Sequence, residues 1–244
     1  MLSYIINLPS EKRRKKYILN AIKPFKTNIN FKWISAIDGN KIKESDSKLL
    51  FDEDKYNKNH LWSITKAEIG CILSHRKCYE ELLKTNSFYA MIIEDDVELN
   101  IDVISILDFI EDFMMIDSPR ILLLSGWYWY YKKKKINDNI SLCKIYDGRS
   151  AYSYLINRKA AEKILSNKPW HVADDWGKIR SLGVEIYCIS PQIMRTNRKI
   201  SKETTISLNQ KKLLPFNLIK YLKVKKNGLI RRILKLIHRY QNWI

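Results

Sequence analysis

Short apolar runs alternate with amphipathic stretches over most of this chain. Tyr4 to Leu8 reads as a strand, and Pro9-Ser10-Glu11 opens a charged helix from about Lys12 to Ile22. Phe31 to Ile37 is a second strand that stops at the turn signal Asp38-Gly39, and a polar connection follows to about Asn59. Thr65 and Glu68 have capping-box spacing ahead of Ile69, Ile72, Leu73, Cys78, Leu82 and Leu83, which predicts a helix over Lys66 to Lys84. Tyr89 to Ile93 is a strand, Asp102 to Met115 a helix, and Ile121 to Leu124 a strand. A helix through Leu165 begins at Asn157-Arg158-Lys159, and Glu185 to Ile189 is a further strand. Strands alternating with helices predict an α/β fold with a largely parallel sheet, whose ligand site lies at the strand carboxyl ends. This domain spans residues 1–210.

Residues 211–244 differ in kind. At 100° per residue Leu229, Ile230, Ile233, Leu234, Leu236, Ile237, Tyr240 and Ile244 share one arc, with Arg231, Arg232, Lys235, His238 and Arg239 opposite. Such a basic amphipathic helix suits an anionic membrane interface, and the competing reading is a terminal helix docked on the domain or on another subunit. The tail also accounts for the charge. It carries ten Lys or Arg and no Asp or Glu, over half of the net +18, so the remaining body is only mildly basic. No stretch approaches the roughly 20 apolar residues that span a bilayer. The opening residues read as a first strand rather than a signal peptide. Cys71, Cys78, Cys143 and Cys188 show neither a C-x-x-C pair nor zinc spacing. The expected location is a reducing cytoplasm, peripheral on the inner face of the membrane.

The densest chemistry lies in Met91-Ile92-Ile93-Glu94-Asp95-Asp96-Val97, an apolar strand that runs into three carboxylates. Residues two apart on a strand share a side. Glu94 and Asp96 are therefore expected to aim at one point, with Asp95 facing away or turning with the loop. Two hard oxygen donors suit Mg²⁺ or Mn²⁺; the alternative is a solvated acidic turn, or first-turn acids of a helix over Val97 to Phe113. Trp127 to Tyr131, five aromatics followed by Lys132 to Lys135, offer stacking faces for sugars or bases, or else a hairpin whose alternate rings fill the core. A basic nucleic-acid-binding protein would use that patch, but the acidic triplet repels phosphate unless a metal intervenes, as in a metal-dependent nuclease or phosphotransferase.

Several strings together resemble glycosyltransferase family 25, the lipopolysaccharide and lipooligosaccharide sugar transferases related to collagen galactosyltransferases. They are Ile6-Asn7-Leu8 with Arg13-Arg14, Ala36-Ile37-Asp38-Gly39, Glu68-Ile69-Gly70-Cys71-Ile72-Leu73-Ser74-His75, Ile93 to Val97, Ala151-Tyr152, and Val172-Ala173-Asp174-Asp175-Trp176. Ala67 replaces a glycine common before the Glu-Ile-Gly string, and the segment after Pro191 matches poorly. The resemblance implies a GT-A (Rossmann-like) fold and an inverting hexosyltransferase that forms a β linkage. It further implies a UDP-galactose or UDP-glucose donor, and an oligosaccharide or lipid-linked acceptor of a bacterial surface glycan, with no nucleic acid. It makes Glu94 and Asp96 the Mn²⁺ or Mg²⁺ anchors. Asp174, with Asp175 beside it, becomes the base, unless one of them caps the following helix. Asn7, Leu8, Arg14, Ala36, Asp38, Asp95 and Tyr152 become the donor-binding residues. His75 reads as a hydrogen-bonded structural histidine.

Overall fold

The computed structural model describes residues 1–201 and 211–241. Leu2–Asn7 (β1) leads into Lys12–Ala21 (α1), and Asn30–Ser35 (β2) returns parallel to β1, with Leu2 opposite Asn30 and Asn7 opposite Ser35. The stretch expected as a plain connection folds into two short helices, Glu44–Leu50 (α2) and Glu53–Asn59 (α3). Each buries a single residue, Ser47 and Tyr56, so neither carries the apolar stripe that periodicity detects. Lys66–Leu83 (α4) begins at the expected capping box: Thr65 accepts from the Glu68 amide and Glu68 accepts from the Thr65 amide.

Tyr89–Glu94 (β3) and Val97–Leu99 (β4) follow, so Val97 is strand and not the start of a helix. The helix expected over Asp102 to Met115 is two, Asp102–Ser105 (α5) and Leu107–Met114 (α6); Ile106 between them leaves helical geometry and is buried, packing overriding a continuous pattern. Then come Arg120–Leu123 (β5), Trp127–Lys135 (β6), Ser141–Arg149 (β7), Ser153–Asn157 (β8) and Arg158–Leu165 (α7), the last capped by Asn157. Trp176–Ser181 (α8), Glu185–Ser190 (β9), Met194–Thr196 (β10) and Arg198–Ser201 (α9) lead to Leu218–Leu236 (α10) and Tyr240–Gln241 (β11).

Nine strands form one sheet in the order β11-β6-β7-β9-β5-β8-β3-β1-β2, and β10 pairs with β4 outside it. Only β1·β2, β1·β3 and β5·β9 are parallel. The sheet is therefore mixed rather than largely parallel. The cause is the β6–β7 hairpin and β8, which inserts antiparallel between β3 and β5. In that hairpin Tyr128 and Tyr130 are buried and Lys132 to Lys135 are exposed, so alternate rings fill the core and no continuous stacking platform exists. Residues alternate between two cores: Tyr4, Ile6, Ile92 and Ile156 face α4 and α7, while Ile5, Met91, Ile93 and Leu155 face α1 and α6. The tail joins the same body, because β11 pairs with β6. Its helix ends at Leu236 instead of running on to Tyr240, and Ile244 lies outside the described residues.

Two glycines set how closely α4 approaches the end of β2. A Cβ on Gly70 would sit 2.5 Å from both the Gly39 nitrogen and the Ile37 oxygen, and one on Gly39 would sit 1.8 Å from the Lys66 oxygen. All three are backbone atoms, which cannot step aside. Ser74 fastens the contact: its hydroxyl donates to the Gly70 carbonyl (2.7 Å) and accepts from the Ile37 amide (2.8 Å). The strings at 36–39 and 68–75 are thus the two halves of one interface. Gly70→Ala is expected to cost about 2–4 kcal/mol in a urea melt despite a helix-propensity gain of about 1 kcal/mol. Gly228→Ala on α10, where a Cβ meets nothing within 4 Å, should stabilise slightly; equal melts for the two variants would contradict this packing.

Candidate active site

Parallel pairing places Ile6 opposite Glu94, so the ends of β1 and β3 lie together. Glu94 follows Ile92 toward α4, where its Oε1 is 3.4 Å from His75 Nε2. Beyond Glu94 the strand ends and the chain turns. Asp95 swings to the α1 side, accepting from Asn7 Nδ2 at 2.6 Å and pairing with Arg14 Nε at 3.0 Å. Arg14 also donates through its other nitrogen to Asp96 Oδ2. The expectation that Glu94 and Asp96 project together with Asp95 apart is therefore corrected: Arg14 gathers Asp95 and Asp96, and Glu94 leans to His75. The two-residue period fails because it stops where the strand stops.

This corner is electrostatically compressed. Burial, then the Glu94 charge, pushes the Asp96 carboxyl up to about 7 against the pull of Arg14. Asp95 is also raised, chiefly by burial, although Arg14 and Asn7 oppose it. Asp96 Oδ1 is buried and has no hydrogen-bond partner. That orphaned oxygen offers one ligand to a hard divalent cation, and the Glu94 carboxylate, turned here toward His75, would have to swing toward it to supply a second. His75 is held from behind: its Nδ1 is 2.8 Å from the Tyr154 hydroxyl, which lies 2.7 Å from Tyr79. It is a hydrogen-bonded structural histidine that also faces Glu94. Cys71, one helical turn before it, brings a third potential ligand atom to within 4.8 Å of the other two, and burial pushes its thiol well above the usual range.

Leu8, Ala36 and Asp38 line a cavity of about 420 Å³ with Pro9, Ser10 and Ile42, just beyond the carboxyl ends of β1 and β2. Asp38 shapes its rim by accepting from the Asn40 amide. Tyr152 bridges toward the acidic corner; its carbonyl accepts from the Glu94 amide at 2.9 Å, and burial followed by the Glu94 and Asp96 charges raises its phenol.

On the other side of Tyr152 stand the two aspartates. Asp174 Oδ2 accepts from the Ser150 amide at 3.0 Å. Burial raises its carboxyl, Ser150 and Arg149 oppose this, and Glu94 adds to the rise. Asp175 N-caps α8 through the Lys178 amide and lies 3.0 Å from His60 Nε2. Burial pushes this carboxyl up too, but His60 and Arg149 prevail and hold it below the usual range. Sequence reasoning missed His60, Ser150, Arg149 and the buried Asp147, which pairs with Arg149. None carried a signal: His60 sits in a polar stretch read as connection, and the others lie in or beside a strand that periodicity did not resolve.

Comparison with known proteins fits this geometry. The family described as "Glycosyltransferase family 25 (LPS biosynthesis protein)" matches residues 1–176. A putative glycosyltransferase of Haemophilus influenzae is 29% identical over 179 residues, 71% of this chain and 61% of that one. A glycosyltransferase 25 family member of Aedes aegypti is 27% identical over 184 residues, 68% of this chain and 28% of the other. Human procollagen galactosyltransferase 2 is 32% identical over 100 residues, 38% of this chain and 15% of that protein. The chain thus spans less than two thirds of the length of these relatives. The matched region contains the acidic corner, the cavity and both aspartates, and on that match the chain belongs to glycosyltransferase family 25.

Proposed function

We propose that this chain is an inverting glycosyltransferase that moves galactose or glucose from a UDP-sugar to an oligosaccharide or lipid-linked acceptor of a bacterial surface glycan. The observation that carries the reading is Asp96 Oδ1, a carboxylate oxygen that is buried and, among the described residues, unpartnered, beside the carboxyl end of β3, whose parallel neighbour β1 leads into the cavity at Leu8, Ala36 and Asp38. The collagen galactosyltransferase among the relatives supports a hexosyl donor.

Glu94 and Asp96 would hold Mn²⁺ or Mg²⁺, which supplies neutralising charge for a departing diphosphate. The cavity receives the uridine and ribose, with Leu8, Ala36 and Asp38 in its wall; Asn7, next to Leu8 in the chain, and Arg14 hold the acidic corner. Asp174 accepts the proton of the acceptor hydroxyl as that oxygen bonds to the anomeric carbon and the bond to the diphosphate breaks on the opposite face. Asp175 is engaged as the N-cap of α8 and by His60, and a raised carboxyl is the stronger base; both support Asp174 in this role. Tyr152, between the two groups, borders the sugar.

Asp96→Ala should abolish transfer while leaving the thermal midpoint within a few degrees, because Arg14 keeps Asp95. Mn²⁺ with UDP should raise the midpoint of the wild type and not of the variant; full transfer by Asp96→Ala in excess EDTA would remove the metal reading. Asp174→Asn should lower turnover by about 10²–10⁴-fold. Because its carboxyl is raised in the fold, the charge costs stability at neutral pH, and the variant should melt no lower than wild type. Undiminished turnover in Asp174→Asn excludes it as the base. Asp175→Asn should behave conversely. Its carboxyl is depressed, so its contribution is present above the unfolded value near pH 4 and fades as pH falls through the folded one; the variant should lose about 1–3 kcal/mol at pH 7 and less at pH 3.

A further inference from the structure

Helix α10 is fastened to the body by its polar side. Lys220 Nζ donates to the Asn57 carbonyl at 3.1 Å, Asn227 Oδ1 accepts from the Tyr146 hydroxyl at 2.9 Å, and Arg231 lies 3.3 Å from Asp147 Oδ2 and 5.3 Å over the Trp129 ring. With the buried Leu234 these residues fall on one arc of the helix. Beyond it, Tyr130 donates to the His238 carbonyl, Arg239 donates to the Tyr131 carbonyl, and β11 zips onto β6. The opposite arc is apolar and faces outward. Leu218, Leu222, Leu229, Ile233 and Leu236 are each between 48% and 79% exposed.

This reverses the usual polarity of a surface helix, whose apolar stripe packs inward. Exposed Lys223, Lys225, Lys226, Arg232 and Lys235 flank the stripe, and residues 211–244 contain no acid to offset them. A second copy stacked on this face would bring two such cationic rims together without a counter-charge, which is unfavourable. An anionic bilayer satisfies both features at once: its acyl boundary takes the leucines and its headgroups take the lysines and arginines. Among the described residues no helix is long and apolar enough to cross a membrane.

We propose that the outward face of α10 is a docking surface for an anionic lipid bilayer, with the helix lying in the plane of the interface.

The test is sedimentation of the full chain with vesicles of phosphatidylcholine alone and with phosphatidylglycerol added, in the absence of any sugar donor, so the result is independent of the proposed activity. Wild type should bind the anionic vesicles only, and less as salt rises. The Leu229→Glu/Ile233→Glu variant, altered at exposed positions and melting like wild type, should bind about tenfold more weakly or worse. Absence of binding, equal binding to both vesicles, or undiminished binding by the variant overturns the proposal. So does a wild-type dimer that the variant dissolves, since a second copy would then cover the stripe.

Discussion

Arg14 is the hinge of this structure. Three successive carboxylates at the end of a buried strand carry a desolvation and repulsion cost of several kcal/mol, and the fold meets it with one polar neighbour from each surrounding element. Asn7 comes from β1, Arg14 from α1 and His75 from α4. Arg14 alone reaches two of the acids. Removing any of these elements would leave a buried charge uncompensated, so the acidic corner ties together the helices on both faces of the sheet. Among the described residues one oxygen of Asp96 keeps no hydrogen-bond partner, although Arg14 pairs with the other.

Asp174 and Asp175 show how adjacent identical residues acquire different uses. Both are removed from water, which favours their neutral forms. A single backbone amide and a more distant arginine do not overcome this at Asp174, whereas a histidine and the start of α8 do at Asp175. The second aspartate is committed to the architecture. The first keeps proton affinity and feels the Glu94 charge.

The sequence made legible whatever rests on local rules. The α4 capping box, β3 and the start of α7 are dictated by spacing that needs no tertiary partner and stand within a residue of where pattern placed them, while β1 begins two residues earlier and ends one residue earlier than expected. The mixed sheet was not legible, because β7 carries an internal aspartate and glycine that blur alternation, and β8 owes its place to two neighbours distant in the chain. In the site, residue identity could be read but direction could not. Glu94, Asp95 and Asp96 straddle the end of a strand, so each side chain is aimed by a turn. His60 reaches Asp175 across 115 positions of sequence, a separation at which no spacing rule operates. In the tail the arc that packs inward, with Lys220, Asn227, Arg231 and Leu234, is mostly polar, so Leu234 leaves the apolar arc on which the pattern put it, since buried acceptors such as Asp147 require the polar side.

The paired glycines have a further consequence. Where two backbones touch with no room for a methyl group, the floor of the adjoining cavity has a fixed depth and slope that mutation cannot adjust by degrees. Asp46 and Leu50 line it from α2, outside that contact. Diversification of what this pocket accepts must then proceed from that side, so two members of the lineage with different preferences should share the floor and differ at these two positions.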